Sequence, residues 1–247
     1  MERARVKRTV LSWCLFFAVT LAVSPDSMGA EGAQTKPARP TGEPGLTREN
    51  VLKRMAEAAD HLKSLTANIE RTKVTVVVDD KSTESGQLFY RKDNRLRIEF
   101  SKPDTKIILL NGDRAQIYTP KIKQVQEYDL SKHRGLVDEL LLLGFGKSAK
   151  ELPKAYLVTL IGETEMDGRS VAQLELTPKS DKLRAQINKI HLWLDMVSWL
   201  PIHQKFFEAG GDYFEIHYTE AKSNLKIPDS KFELKLPKDV TRIKPQV

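Results

Sequence analysis

The side chains that could do chemistry in this sequence are few, and their spacing is poor for it. Five histidines, His61, His133, His191, His203 and His217, show no HxH, HxxxH or HExxH pattern, so a zinc centre would need assembly from distant segments. His191, His203 and His217 lie in strand-like stretches and could converge, but they are read as separate surface histidines. No GxSxG elbow and no SxxK pair supplies a nucleophile. Carboxylates are frequent, yet none sits in a run that suggests a tuned acid–base pair. GFGKSA, Gly144 to Ala149, ends like a phosphate loop, but the earlier glycine such a loop needs is replaced by Leu141. It reads as a helix C-cap followed by a joint. The sequence therefore predicts no catalytic residue, no metal and no cofactor.

One stretch has chemistry of a different kind. GQLFYRKDNRLRIEF, Gly86 to Phe100, sets Arg91, Lys92, Arg95 and Arg97 among Leu88, Phe89, Tyr90, Leu96, Ile98 and Phe100. RNA-binding sheets put cations and aromatics together on one exposed face. Here RLRIEF alternates strictly, with Leu96, Ile98 and Phe100 on one side and Arg95, Arg97 and Glu99 on the other. Net charge points the same way. Without residues 1–30, which carry four basic and two acidic residues, it falls from +7 to +5, and no run of five like charges occurs. No nucleic-acid partner is expected.

The elements that position these residues are ordered from the N-terminus. A basic segment, MERARVKR, precedes the apolar run Thr9–Val23 and then SPDSMGA, the order of a secretory signal peptide over residues 1–30. The apolar run is shorter than the roughly 20 residues of a spanning helix. Cys14, the single cysteine, lies inside it, so disulfides and thiolate chemistry are excluded from residues 31–247. Residues 31–45 are rich in Pro, Gly and Ala and read as a disordered linker. A helix should follow, capped by Thr47, with an apolar stripe of Val51, Leu52, Met55, Ala58, Ala59, Leu62 and Leu65.

From Thr66 the period becomes two. Short strands separated by DN, SKPD, NGDR and PKIK must be antiparallel neighbours. DDKSTES reads as the first turn, after a strand that runs through VTVVVD. A second helix, unusually greasy, covers GLVDELLLL, and KSAKELPKA connects it, with a helical turn before Pro153, to further strands ending in FELKLP. The expected fold is α+β and mostly β: one domain over residues 46–247, built as a strongly curved, unclosed antiparallel barrel of about eleven strands with helices as a lid. KIILL and YLVTLIG are apolar on both faces, more than one packed side requires. A curved sheet lined by Leu, Ile and Phe can hold an apolar ligand.

GQLFYRKDNRLRIEF followed by PDTKIILLNGDRAQIYTPKIKQV, then LELTPKSDKLRAQINKIHLWLD and KFELKLPKDVT, resembles the periplasmic outer-membrane lipoprotein carriers over most of residues 47–242. The sensor domain of periplasmic stress-response regulators is similar in fold; a sensor of that kind usually carries a further C-terminal domain, which favours the carrier as the reading. The resemblance implies a monomeric periplasmic carrier without enzymatic activity. Its partners would be acylated lipoproteins or lipids, an inner-membrane lipoprotein-releasing ABC transporter and an outer-membrane acceptor. The family's basic residue at the end of the first motif strand falls on Lys92, with Arg91 beside it, although Asp93 stands where the family usually has Pro. The apolar phases of the strands give the cavity residues: Leu88, Leu96, Ile98, Phe100, Leu174, Leu176, Ile190, Leu192, Phe214 and Ile216. The lid residues are Met55, Leu62, Leu136, Leu140 and Leu141.

Overall fold

The computed structural model describes residues 46–131 and 143–245, the side chains of residues 147 and 148 aside. The expected signal peptide and linker, and Leu136, Leu140 and Leu141 of the second helix, lie outside the described residues.

Helix α1, Arg48–His61, opens with Thr47, whose hydroxyl accepts the Asn50 amide at 3.2 Å, and buries Val51, Met55 and Ala59. It stops four residues before the predicted stripe does, because Ser64 already belongs to a strand. Six strands then form a meander: β1 Ser64–Thr75, β2 Asp80–Arg91, β3 Arg95–Lys102, β4 Lys106–Asn111, β5 Arg114–Thr119 and β6 Gln124–Asp129. Helix α2, Gly146–Ala155, leads into a second meander: β7 Tyr156–Met166, β8 Arg169–Pro178, β9 Ile187–Asp195, β10 Pro201–Glu208 and β11 Tyr213–Ser223. A one-turn helix α3, Asp181–Arg184, caps the β8–β9 link, and β12, Thr241–Ile243, comes last.

All twelve strands join one curved, unclosed sheet in the order β12-β6-β5-β4-β3-β2-β1-β11-β10-β9-β8-β7. The central seam, β1 against β11, joins the two meanders. The pairing is antiparallel throughout except at one edge, where β12 lies parallel to β6.

Four local expectations are corrected. VVVD is the first turn, not the end of a strand: Val76–Val78 make a 3₁₀ turn closed by Asp79 at φ 50°, and β2 starts at Asp80 inside the predicted turn. An acceptor explains the position, since Asp212 Oδ1 takes the Val76 amide at 3.0 Å. KSAKELPKA, with Gly146 before it, forms a ten-residue helix with Pro153 inside its last turn rather than after a single turn. Gly146 consequently starts that helix, where GFGKSA was expected to run on as a joint; the helix that the segment was expected to cap lies outside the described residues. FELKLP is not a strand. Asp229–Phe232 form a 3₁₀ turn whose Phe232 is buried with Ile227 against Leu109 on the sheet's outer side, with Phe89 and Leu234 beside them. That strap explains why KIILL is apolar on both faces. Among the described residues YLVTLIG has no such cover, and Leu157 and Ile161 are exposed on the edge strand.

The strap also absorbs the cations of the β2–β3 hairpin. Arg97 Nη1 donates to the Lys231 and Glu233 carbonyls at 3.1 and 2.9 Å. Arg91 donates to Asp229 at 2.6 Å and lies over the Phe232 ring, and Lys231 lies over Phe89. These arginines work as clamps for the C-terminal segment.

Candidate functional site

Residues directly opposite in neighbouring strands share a face, so the register sorts every strand residue to one side. Leu174, Leu192, Gln204 and Ile216 form one row across β8–β11. Leu176, Ile190, Phe206 and Phe214 form the next. Across the seam, Ile69 faces Tyr218 and Gly86, and Gly86 faces Phe100. Ala67, Leu88, Ile98, Ile108 and Ile117 continue on β1–β5, and Leu65, Tyr90, Leu96 and Leu110 lie beyond. All ten residues expected to line a cavity are therefore on one face. Nine of them are buried and Ile216 is half-buried.

Gly86 lets the sheet bend here. A Cβ on it would lie 1.9 Å from the Glu99 carbonyl oxygen, and the β2–β3 register slips beside it.

Among the described residues, α1 and the segment Leu143–Gly146 cover this inner face. Met55 and Leu62, expected in a lid, are buried. Arg54 packs over Trp199 in the β9–β10 link, and Lys92 at the end of β2 holds the Asp60 carbonyl at 3.0 Å. Helix α1 also touches β7, so it reaches from the central strands to the far edge, which requires the sheet to curl beneath it. Lys150 of α2 pairs with the Asp60 carboxylate and holds it below the usual range.

Leu143–Gly146 lies directly on the inner face. Gln204 Nε2 donates to the Leu143 carbonyl at 2.7 Å, and the Tyr218 hydroxyl donates to Gln204 Oε1 at 3.2 Å. Burial pushes the Tyr218 phenol well up, so it stays a donor. Phe145 meets the Tyr218 ring edge-on at 5.4 Å. Gly144, at φ +79°, passes so close that a Cβ would strike Pro201 Cγ at 2.7 Å.

Arg91 and Lys92 point to different places. Arg91 is held on the outer side by Asp93 and Asp229, whereas exposed Lys92 joins the sheet to α1. The histidines come closer than separate surface residues would. His203 and His217 are opposite in register, with ring centroids 5.6 Å apart, and His191, His203 and His217 each meet a carboxylate: Glu175, Glu215 and Asp167. Among the described residues no group of three His, Cys, Asp or Glu is placed to hold a metal ion.

One cluster escaped sequence reasoning. At the end of the inner face away from α1, Arg71, Lys73, Glu84, Lys106 and Glu208 take positions in the apolar phase, with side-chain exposures of 11, 14, 23, 15 and 9%. Arg71 Nη1 lies 3.1 Å from Glu84, Lys106 also pairs with Glu84, and Lys73 lies 3.7 Å from Glu208. Burial pulls Arg71 and Lys106 down against the opposing attraction of Glu84, and burial pushes Glu208 up, with Asp212 adding to it. The signal was in the register: Arg71 and Lys73 are in phase with Ala67 and Ile69, and Lys106 is in phase with Ile108.

Comparison with known proteins gives this architecture its relatives. An outer-membrane lipoprotein carrier protein of Legionella pneumophila (strain Paris) is 22% identical over 184 residues, covering 74% of this chain and 84% of its own length. An uncharacterized protein of Methanocaldococcus jannaschii is 23% identical over 192 residues, 78% of this chain, but the chain spans only 52% of that protein. The crystal structure of an uncharacterized conserved protein from Thermus thermophilus shares the fold, with a TM-score of 0.53 at 11% identity over 80% of this chain and 98% of that one. The family described as outer membrane lipoprotein carrier protein LolA matches residues 60–235. The chain belongs to that family.

Proposed function

We propose that this protein is a periplasmic carrier that shields acyl chains of lipoproteins or lipids on its inner face and moves them from the inner to the outer membrane. The observation that carries the reading is the inner face, on which the ten expected apolar residues share one side beneath a segment that Gln204 holds in place. Burying a methylene is worth about 0.8 kcal/mol, so leaving three acyl chains with roughly 40 methylenes in water would cost on the order of 30 kcal/mol. A shield is then obligatory, and release has to occur directly into the next binding site. An inner-membrane ABC transporter would load the protein and an outer-membrane acceptor would unload it.

Opening means freeing Leu143–Gly146 and α1, since both lie over the apolar rows. Lys92, which ties β2 to the end of α1, is suited to couple an approaching partner to that opening; Arg91, committed to the strap, supports the strand end from the other side. Mass spectrometry of the protein purified from membranes of its own host tests the reading. An acylated lipoprotein or lipid should co-purify at near one per protein, and protein free of acylated species after gentle extraction would refute it.

A further inference from the structure

Three exposed lysines, Lys63, Lys222 and Lys226, gather where α1 runs into β1, and among the described residues no ion pair engages them. The Lys63 amide donates to Asn224 Oδ1 at 2.7 Å, and Asn224 lies between Lys222 and Lys226 at the end of β11. The Lys63 carbonyl accepts the Lys92 amide at 2.9 Å. Lys92 and Lys150 both attract the Asp60 carboxylate, and exposed Glu220 is the other acid on this junction. Arg91 and Arg95 are answered by Asp93 and Asp229. Five lysines against two carboxylates leave 5 − 2 = +3 here.

The turn between Lys222 and Lys226 is pinned. Asn224, at φ 62°, donates its amide to the Ser64 carbonyl at 2.8 Å, and Ser64 Oγ donates to the Leu225 carbonyl at 2.5 Å. With the Lys63–Asn224 bond, three hydrogen bonds fix the segment against the start of β1 and leave Leu225 49% exposed. An apolar tip between long cationic stems has the make-up of an interfacial anchor. Strand β9 runs parallel to β11, since both pair antiparallel with β10, so the β9–β10 link lies at the same end. There Asp195 accepts the Val197 amide and the Ser198 hydroxyl, and Val197 is 90% exposed. The opposite end also exposes Val76 to Val78, but Asp79 and Asp80 follow them directly.

Arginine supplies the fork that matches a fixed carboxylate, and the arginines here are already committed. What remains is lysine, a point charge on a flexible stem, which suits a fluid layer of headgroups. We propose that Lys63, Lys222 and Lys226 dock this end of the protein on an anionic lipid surface, with Leu225 entering the headgroup region. Docking brings the joint between α1 and β1, and Lys92 with it, against the bilayer. It needs no cargo, so it stands apart from the carrier reading, and its failure leaves that reading untouched.

Co-sedimentation tests it, with vesicles of phosphatidylcholine alone or with about 30% phosphatidylglycerol, at about 0.1 M salt, where screening over about 10 Å confines the attraction to close approach. The full chain should partition onto the anionic vesicles and not the neutral ones. Lys222→Gln with Lys226→Gln should weaken partitioning about thirtyfold, the scale of two lysines at such a surface. Lys81→Gln with Lys102→Gln removes the same charge from two exposed lysines at the opposite end and should change it by less than about twofold. Residues 1–45 are common to every variant, so the difference between the two pairs isolates the junction. Equal weakening by both pairs would reduce the attraction to net charge, and equal binding to neutral vesicles would make it apolar; either result overturns the docking surface. A chain that stays off anionic vesicles would leave the lysines to an acidic protein and overturn it as well.

Discussion

Gln204→Leu isolates the device that holds the lid segment on the sheet. Gln204 is fully buried, donates to the Leu143 carbonyl at 2.7 Å and accepts from the Tyr218 hydroxyl at 3.2 Å. Leucine preserves the volume and removes both bonds, leaving a carbonyl and a phenol without these partners. Each buried polar group so orphaned costs about 1–3 kcal/mol, partly offset by about 1 kcal/mol from the added apolar burial. The expected net loss is about 1–5 kcal/mol, which in a domain of this size lowers Tm by about 2–20 °C. Urea unfolding should show a lower midpoint at unchanged slope. Hydrogen exchange should show the Leu143–Gly146 amides losing protection ahead of the strands. Tyr218→Phe removes only the second bond and should cost about half as much. A Gln204→Leu protein within about 0.5 kcal/mol of wild type would show that nothing is pinned there, and the lid would need another latch.

Three other perturbations probe separate parts of the structure. Gly86→Ala drives a Cβ to 1.9 Å from the Glu99 carbonyl, a backbone clash between two central strands, and should cost about 3–4 kcal/mol; a wild-type melting curve would mean the strands part easily. Ile98→Glu should fold, judged by circular dichroism, yet lose binding of cis-parinaric methyl ester, because a buried carboxylate disfavours acyl chains; undiminished affinity would place Ile98 outside the cavity. His203 is depressed first by burial, with Glu215 opposing and His217 reinforcing, so the unfolded chain takes up the proton before the native state does. Stability should therefore fall as pH drops below about 6.5, and His203→Gln should flatten that limb between about pH 7 and 5; an unaltered slope would show that another group sets it.

Alternation and turn residues made the strands and their facing legible. RLRIEF and INKIHLWLD carry a clean period of two, and the inner-face residues drawn from that period share one side of the sheet. Helix α1 was legible for the same reason, through its cap and stripe. Errors arose where tertiary contacts overrode local pattern. Three valines prefer a strand, but the Asp212 acceptor fixes a turn at Val76. FELKLP alternates like a strand, but arginines from β2 and β3 capture its carbonyls and neighbours before it can pair. The cationic end of the inner face was within reach of the sequence, since phase alone places Arg71 among apolar neighbours. The Gln204 latch was not within reach, because its partner lies 61 residues away.

The seam between β1 and β11 carries a consequence for how the molecule assembles. Residues 64–129 and 156–223 each form a meander from neighbouring segments, whereas the seam pairs Leu65 with Ser223 across most of the chain. Local hairpins close quickly and distant partners slowly, so two half-sheets should form early and zip together late, with the strap following. Pulse-labelled amides on the β1–β11 ladder that gain protection before the hairpins would contradict this order. Until the zipping step the oily rows of both halves face water together, so the unfinished chain would need a holdase for that interval.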